Sequence, residues 1–394
     1  MKITKIDVML INPKSEDNPL WRPIGCRIYT DEGIYGDGEV ALAFGVASTG
    51  AYGTLIDFSK RIIGKDPLEH EVIWEDLHKN TFWGQNGGPV IFGAISAIDV
   101  ALWDIRAKYF KVPLYKLLGG KMREKLRTYA SQLQFGWGEK KEGLYKTEDY
   151  AEVAKKAVSE GYTAVKFNFF TFDENGERLN YEKMSGLQSV KYLKMIEERV
   201  RTVREAVGED IDIIMENHSC TDVNSAIQLM KKLEKYNIFF LEEPTTPSAD
   251  MSKVIRDNIN TPIAQGERIY TRWQYKAYFE NNSIQVIQPD LGTNGGITET
   301  KKVCDMAHVY DVGVQIHVCS SPLLTAAALN LEIALPNFTI HEHHVYNLHE
   351  YNKKLCVYDY QPENGYFKVP ERIGIGNGWS EYAFQNCELT TIEN

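Results

Sequence analysis

A strand-then-helix unit repeats about seven times between residues 121 and 345, and no other feature of the chain constrains its fold as tightly. Short apolar runs of strand character fall at 126–133, 164–169, 211–217, 238–243, 262–267, 284–289, 313–318 and 338–341, with helix-patterned segments between them. One such helix sets Leu193, Ile196, Val200 and Val203 on a common face and is stopped by Gly208. Strands joined by helical crossovers run parallel, and eight of them imply closure into a barrel. An open doubly wound sheet is the competing architecture. It is disfavoured because no Gly-rich phosphate turn follows an early strand.

The flanks read differently. The first 30 residues alternate like strands, and TDEGIYGDGE (Thr30 to Glu39) carries the punctuation of a hairpin. From about 51 to 116 the period becomes helical, with Ile91, Ala94, Ile95, Ile98, Leu102 and Ile105 on one face, and Gly119 and Gly120 end the region. The tail beyond 345 returns to short strands and turns. We therefore expect an α/β chain with an antiparallel sheet and helices over 1–120, a parallel barrel over 121–345, and a tail at 346–394 that packs back on the N-terminal sheet.

Net charge narrows the partners. At -10 the chain is a poor match for nucleic acid or an anionic membrane. An anionic small molecule would approach against the overall field, so local cations or a metal must attract it. The six cysteines form no CxxC pair or framework spacing, as expected for reduced thiols in the cytoplasm. No secretory leader is legible. The longest apolar stretch, VIFGAISAIDVALW, is cut by Ser96 and Asp99, so no membrane span is expected.

Polar residues recur at the carboxyl ends of successive strands, where barrel enzymes place their chemistry. Glu216 ends the third strand, Glu242 the fourth and Glu267 the fifth. One such acid alone would merely cap a helix or pair with a base. Three on consecutive strand ends suit a hard cation with oxygen ligands, and Mg2+ fits a site that leaves positions open. Asp290 follows the sixth strand and His317 lies near the end of the seventh, so the carboxylate can orient the imidazole as a base. A lone strand histidine would more simply be a core residue; the adjoining acids reverse that preference.

With these motifs in order, the sequence resembles the enolase superfamily, mandelate racemase subgroup, over nearly its whole length. The resemblance runs through TDEGIYGDGE, AIDVALWDIRAKYFKVPLYKLLGG, LEEP, GERIYTRW and QPDLGTNGGITET. It implies Mg2+ held by Glu216, Glu242 and Glu267, a His317 base oriented by Asp290, and Glu342 as an acid near the substrate carboxylate. It also implies an α+β capping domain drawn from 1–120 and 346–394 over a modified (β/α)7β barrel of the TIM type at 121–345, and a homo-oligomer. Relatives that racemise carry Lys-x-Lys on the second strand, whereas here Lys166 is followed by Asn168, which removes the second lysine base. In this the chain is similar to the galactonate dehydratases of the subgroup, as it is in placing His218 two residues beyond the first metal acid. On a strand, Glu216 and His218 would share a face, bringing His218 to the cavity as an acid for a leaving hydroxyl. The plainer reading of His218 is a solvated loop residue.

The activity implied is dehydration of an aldonate such as galactonate or gluconate to a 2-keto-3-deoxy acid. An epimerase or cycloisomerase using the same enediolate, and a binder of sugar acids without chemistry, are the alternatives. Substrate choice is expected from the loop at 12–23, where Trp21 and Arg22 could close over the sugar or be ordinary surface residues. The insertion at 170–186 reads as a surface excursion or a further wall.

Overall fold

The computed structural model describes residues 1–13, 21–138 and 142–393. The alternating N-terminal segment folds as an antiparallel meander of β1 (Ile3–Ile11), β2 (Ile24–Thr30) and β3 (Tyr35–Val40). Its inner face, with Ile6, Val8, Ile24, Cys26 and Ile28, packs on helices α1 (Ser48–Ile62), α2 (His70–Lys79) and α3 (Gly88–Tyr109) in a core of its own. The loop 14–20 lies outside the described residues, so the expectation placed on 12–23 can be followed only at its ends.

Helix α3 is, among the described residues, the one helix long and apolar enough to cross a membrane, but most of it is buried inside the protein. Ser96 and Asp99, which interrupt its apolar run, dock it on the barrel. The backbone N–H groups of Gly295 and Gly296 each donate to Ser96 Oγ at 2.9 Å. Thr298 donates to Asp99 through its N–H at 2.9 Å and its hydroxyl at 2.5 Å. Asp99 thus satisfies donors at the start of the helix Gly296–Val309.

The repeats form a curled parallel sheet. Its strands are β4 (Lys125–Ser131), β5 (Ala164–Phe167), β6 (Asp212–Glu216), β7 (Ile238–Glu242), β8 (Ile263–Gln265), β9 (Val286–Ile287), β10 (Gly313–Val314) and β11 (His341–His344). They hydrogen-bond in the order β10-β9-β8-β7-β6-β5-β4-β11. The remaining gap is joined by a parallel bridge between Val314 and Phe338, with Val314 N–H donating to Asn337 O at 2.8 Å. The last strand therefore begins at His341, three residues later than its sequence pattern suggests. Beyond it, β12 (Tyr366–Lys368) pairs with the start of β4, and β13 (Cys387–Glu393) crosses back to pair antiparallel with β1.

Within the cap, β3 and α3 approach closely where glycine permits. A Cβ on Gly38 of β3 would stand 1.8 Å from the Ala97 carbonyl oxygen of α3, and one on Gly36 2.0 Å from that of Ala101. Above them, Ser321 N–H and Oγ donate to the buried Glu39 carboxylate at 3.0 and 2.5 Å, tying β3 to the barrel helix Pro322–Glu332. Because the backbone of α3 cannot yield, Gly38→Ala is expected to lower the unfolding free energy by about 3 kcal/mol. Urea denaturation checks this, and an unchanged midpoint would contradict the close packing.

Candidate active site

Period-two alternation divides each barrel strand between two environments. Residues such as Val165, Phe167, Ile213, Met215, Leu241 and Ile263 face the surrounding helices in the main core. Tyr129, Ala164, Ile214, Phe240, Ala264, Val286 and Ile340 meet instead in a separate apolar plug inside the barrel. Two residues further along four of those strands stand Ser131, Lys166, Glu216 and Glu242, and beyond Ile340 stands Glu342. All five are fully or almost fully buried. A further step outward come Asn168, His218 and His344, which line the mouth with Glu267, Asp290 and His317. The site is thus a dry plug and a buried charged layer beneath an open polar rim that lines a cavity of about 640 Å³.

Lys166 holds the floor together. Its ammonium lies 2.5 Å from Glu242, 2.9 Å from Glu342 and 3.3 Å from Glu216. Burial and the repulsion of Glu216 push the Glu242 carboxyl well above the usual range, against the pull of Lys166. Glu342 experiences the same burial, yet the positive charges of Lys166 and His317 hold its carboxyl well below that range. Its oxygens accept hydrogen bonds from Ser131 Oγ at 2.5 Å and Val318 N–H at 3.0 Å. Both oxygens of Glu342 thus serve as acceptors beside the Lys166 ammonium.

The structure brings together two of the three expected metal acids. Glu216 and Glu242 are register partners on β6 and β7, whereas Glu267 pairs with Arg268 and with His317 Nε2, the latter at 3.0 Å. Among the described residues no three His, Cys, Asp or Glu side chains form a ready-made metal cage. Buried carboxylates need countercharge, and here Lys166, Arg268 and His317 supply it. The donor chemistry nonetheless fits Mg2+. The acids lie at the ends of three adjacent strands, and Glu242 Oε2 is buried without a hydrogen-bond partner. Glu267 would have to exchange its present partners to join them.

His317 Nδ1 lies 2.7 Å from Asp290 Oδ2, and Asp290 Oδ1 accepts the Gly292 N–H at 2.7 Å. Burial lowers the proton affinity of His317, but Glu267 and Asp290 outweigh it and hold the imidazole well above its ordinary value. For Glu267, burial opposes ionisation, and the charge of His317 overcomes it, bringing the carboxyl down to about 2.

His218 does reach the rim, but not by strand alternation. Strand β6 ends at Glu216, and His218 and Ser219 adopt left-handed backbone angles, φ 49° and 55°. His218 N–H donates to Glu216 Oε1 at 2.5 Å, so the turn is built on the acid beside it. Asn168 Oδ1 accepts the Phe170 N–H at 3.1 Å, which leaves its amide N–H to donate to His218 Nδ1 at 3.0 Å. Gln132 Nε2 lies 3.3 Å from His218 Nε2, so each ring nitrogen faces a side-chain amide. Burial, aided by Arg268 and Lys166, lowers the imidazole to about 4. Asn168, placed from sequence at the lost lysine position, thus orients the histidine.

Trp21 is almost fully buried and meets Tyr346 edge-on at 4.8 Å between ring centres. It backs the cavity wall, and neither it nor Arg22 lines the cavity. Arg22 is instead fixed through its N–H to Ala43 O at 2.8 Å. The insertion 170–186, by contrast, forms part of the wall through Arg178, Leu179, Tyr181 and Met184. Arg199, buried on the helix Val190–Val207, pins it by donating to the carbonyls of Phe169 and Phe172 at 2.7 Å, Tyr145 at 2.9 Å and Asp173 at 3.2 Å. Sequence reasoning missed this staple, together with Gln132, Arg268, Tyr270 and His344 on the lining. GER and GERIYTRW mark Arg268 and Tyr270 only by adjacency to Glu267.

A parallel barrel with an acidic floor under an α+β cap defines an enolase-type protein. Comparison with known families agrees. Residues 149–383 match the model described as Enolase C-terminal domain-like, and 23–119 match the Mandelate racemase / muconate lactonizing enzyme, N-terminal domain. The chain belongs to the mandelate racemase/muconate lactonizing enzyme family. It is 31% identical to D-galactonate dehydratase of Ralstonia pickettii over 95% of this chain and 91% of the relative. It is 32% identical to D-xylonate dehydratase of Haloferax volcanii over 89% and 81%. A crystal structure of a member of the enolase superfamily from Salmonella Typhimurium is 49% identical, with TM-score 0.96 and 100% of each chain covered.

Arg199→Met removes the donors to four carbonyls. It is expected to destabilise the protein by about 3 kcal/mol and to speed proteolytic cleavage within 170–186. Unchanged cleavage would show that the wall is held by other means.

Proposed function

We propose that the chain is a magnesium-dependent acid-sugar dehydratase, a hydro-lyase acting on an aldonate of the galactonate or gluconate type. The observation that carries this reading is the placement of the His317–Asp290 pair at the rim above buried glutamates. The similarity to proteins named D-galactonate and D-xylonate dehydratase supports it. Glu216, Glu242 and Glu267 would hold the ion. When bound, Mg2+ supplies positive charge against the negative charge that develops on a carboxylate as its α-proton leaves.

The residues of the chain divide the remaining work. Lys166 places a fixed ammonium beneath the substrate carboxylate. Asp290 accepts Nδ1–H of His317, so Nε2 is the atom that takes the C2 proton once Glu267 is engaged as a ligand and no longer shares it. His218, taking up a second ring proton as the substrate's negative charge enters the site, gives it as the imidazolium to the departing C3 hydroxyl, which leaves as water, and returns to the neutral ring. The resulting enol tautomerises to the 2-keto-3-deoxy acid. Asn168 keeps the His218 ring in the orientation that makes this proton available.

Incubation with Mg2+ and a panel of aldonic acids is expected to yield a semicarbazide-reactive 2-keto acid from at least one of them. His317→Asn should reduce that turnover by about 10⁴-fold, the upper end for a positioned base, with Mg2+ binding retained. Full activity in this variant would remove His317 from the role of base, and C2 deuterium exchange without a keto acid would favour epimerisation instead.

A further inference from the structure

His344 is a rim residue with no part in the chemistry above. It follows Glu342 by two on β11, so the two side chains share the inward face of the barrel. It is only 6% exposed, yet it lines the cavity. The short helix that begins at Val345 explains its orientation: the Tyr346 N–H donates to His344 Nδ1 at 3.1 Å, and the ring packs on Tyr346 at 4.7 Å. A nitrogen that accepts a backbone N–H carries no proton, so the neutral ring must carry its proton on Nε2. No hydrogen bond to Nε2 occurs among the described residues. Nε2–H is therefore left to donate into the cavity that the ring lines.

We propose that His344 Nε2–H is a hydrogen-bond donor to a distal hydroxyl of the sugar acid and so selects for acids of five or six carbons. This rests on the sugar-acid reading of the site. The distance follows from strand geometry: two residues advance about 6.6 Å, so His344 stands that far toward the mouth from Glu342, where the substrate carboxylate end lies. An extended sugar acid anchored at the floor therefore passes its reacting carbons before it reaches His344. The ring is suited to donate and not to exchange protons. Burial lowers it to about 3 against the negative charge of Glu342, with Lys166 and His317 adding to the effect of burial. His344 is a positioning residue in this account.

The test measures Mg2+-supported binding of D-galactonate, D-gluconate, D-xylonate and the short acid D-glycerate to the wild type, His344→Phe and His344→Gln. Phenylalanine keeps the ring and removes the donor, whereas glutamine restores an N–H. The expected result is about tenfold weaker binding of the tightest long acid by His344→Phe, substantial recovery in His344→Gln and no change for D-glycerate. In turnover the loss should fall on KM and not on kcat. Equal weakening of long and short acids, no weakening, or no binding of any long acid overturns the proposal. Histidine-selective 15N spectra give a ligand-free check, since a proton on Nδ1 of His344 also overturns it. Failure of the dehydratase reading looks different: the binding pattern would persist while no long acid yields a keto product.

Discussion

The site depends on one ammonium among three carboxylates. Glu216, Glu242 and Glu342 project from β6, β7 and β11 onto an apolar plug that offers them no water, and Lys166 from β5 lies within 3.3 Å of each. Like charges gathered in so dry a place are costly unless a cation compensates them. The same geometry explains why the floor recruits positive charge, and why Glu242 retains an unpartnered oxygen.

The cap and the second-strand insertion do different jobs around that floor. The cap is locked to the barrel by Ser96 and Asp99 of α3 and by Glu39 of β3, none of which lines the cavity. Its contribution to the wall comes through Ala41, Leu42 and Phe44, with Trp21 supporting Tyr346 from behind. The insertion is fixed by Arg199 and contributes a mixed face of Arg178, Leu179 and Tyr181. A rigid wall of this kind suits a site in which reacting groups must hold their geometry.

Much of this was legible in the sequence because the governing signals are local. Alternation and turn residues locate β6 and β7, and with them Glu216 and Glu242; the Asp290 and His317 motifs lie on neighbouring strand ends. What escaped detection depends on distant partners. HEHH (His341–His344) has no strand-like composition, and it is buried because His341 pairs with Glu332 and His343 with Tyr162. Arg199 reads as one more solvated helix arginine until the hairpin carbonyls around it are known. The reach of His218 was foreseen for the wrong reason, since two left-handed residues and not alternation turn it inward. An aromatic beside an arginine, as at Trp21 and Arg22, reads equally as a lid over the sugar or as ordinary surface, and packing against Tyr346 gives Trp21 a supporting place instead.

The central claim is that the glutamates of three adjacent strands form one divalent-cation site. Calorimetric titration with Mg2+ of the wild type and of Glu216→Gln, Glu242→Gln and Glu267→Gln tests it most directly. The account predicts one ion per chain in the wild type and loss of that binding in each variant, including Glu267→Gln, whose side chain now pairs with His317. Undiminished binding in Glu267→Gln, or none in the wild type, would contradict it.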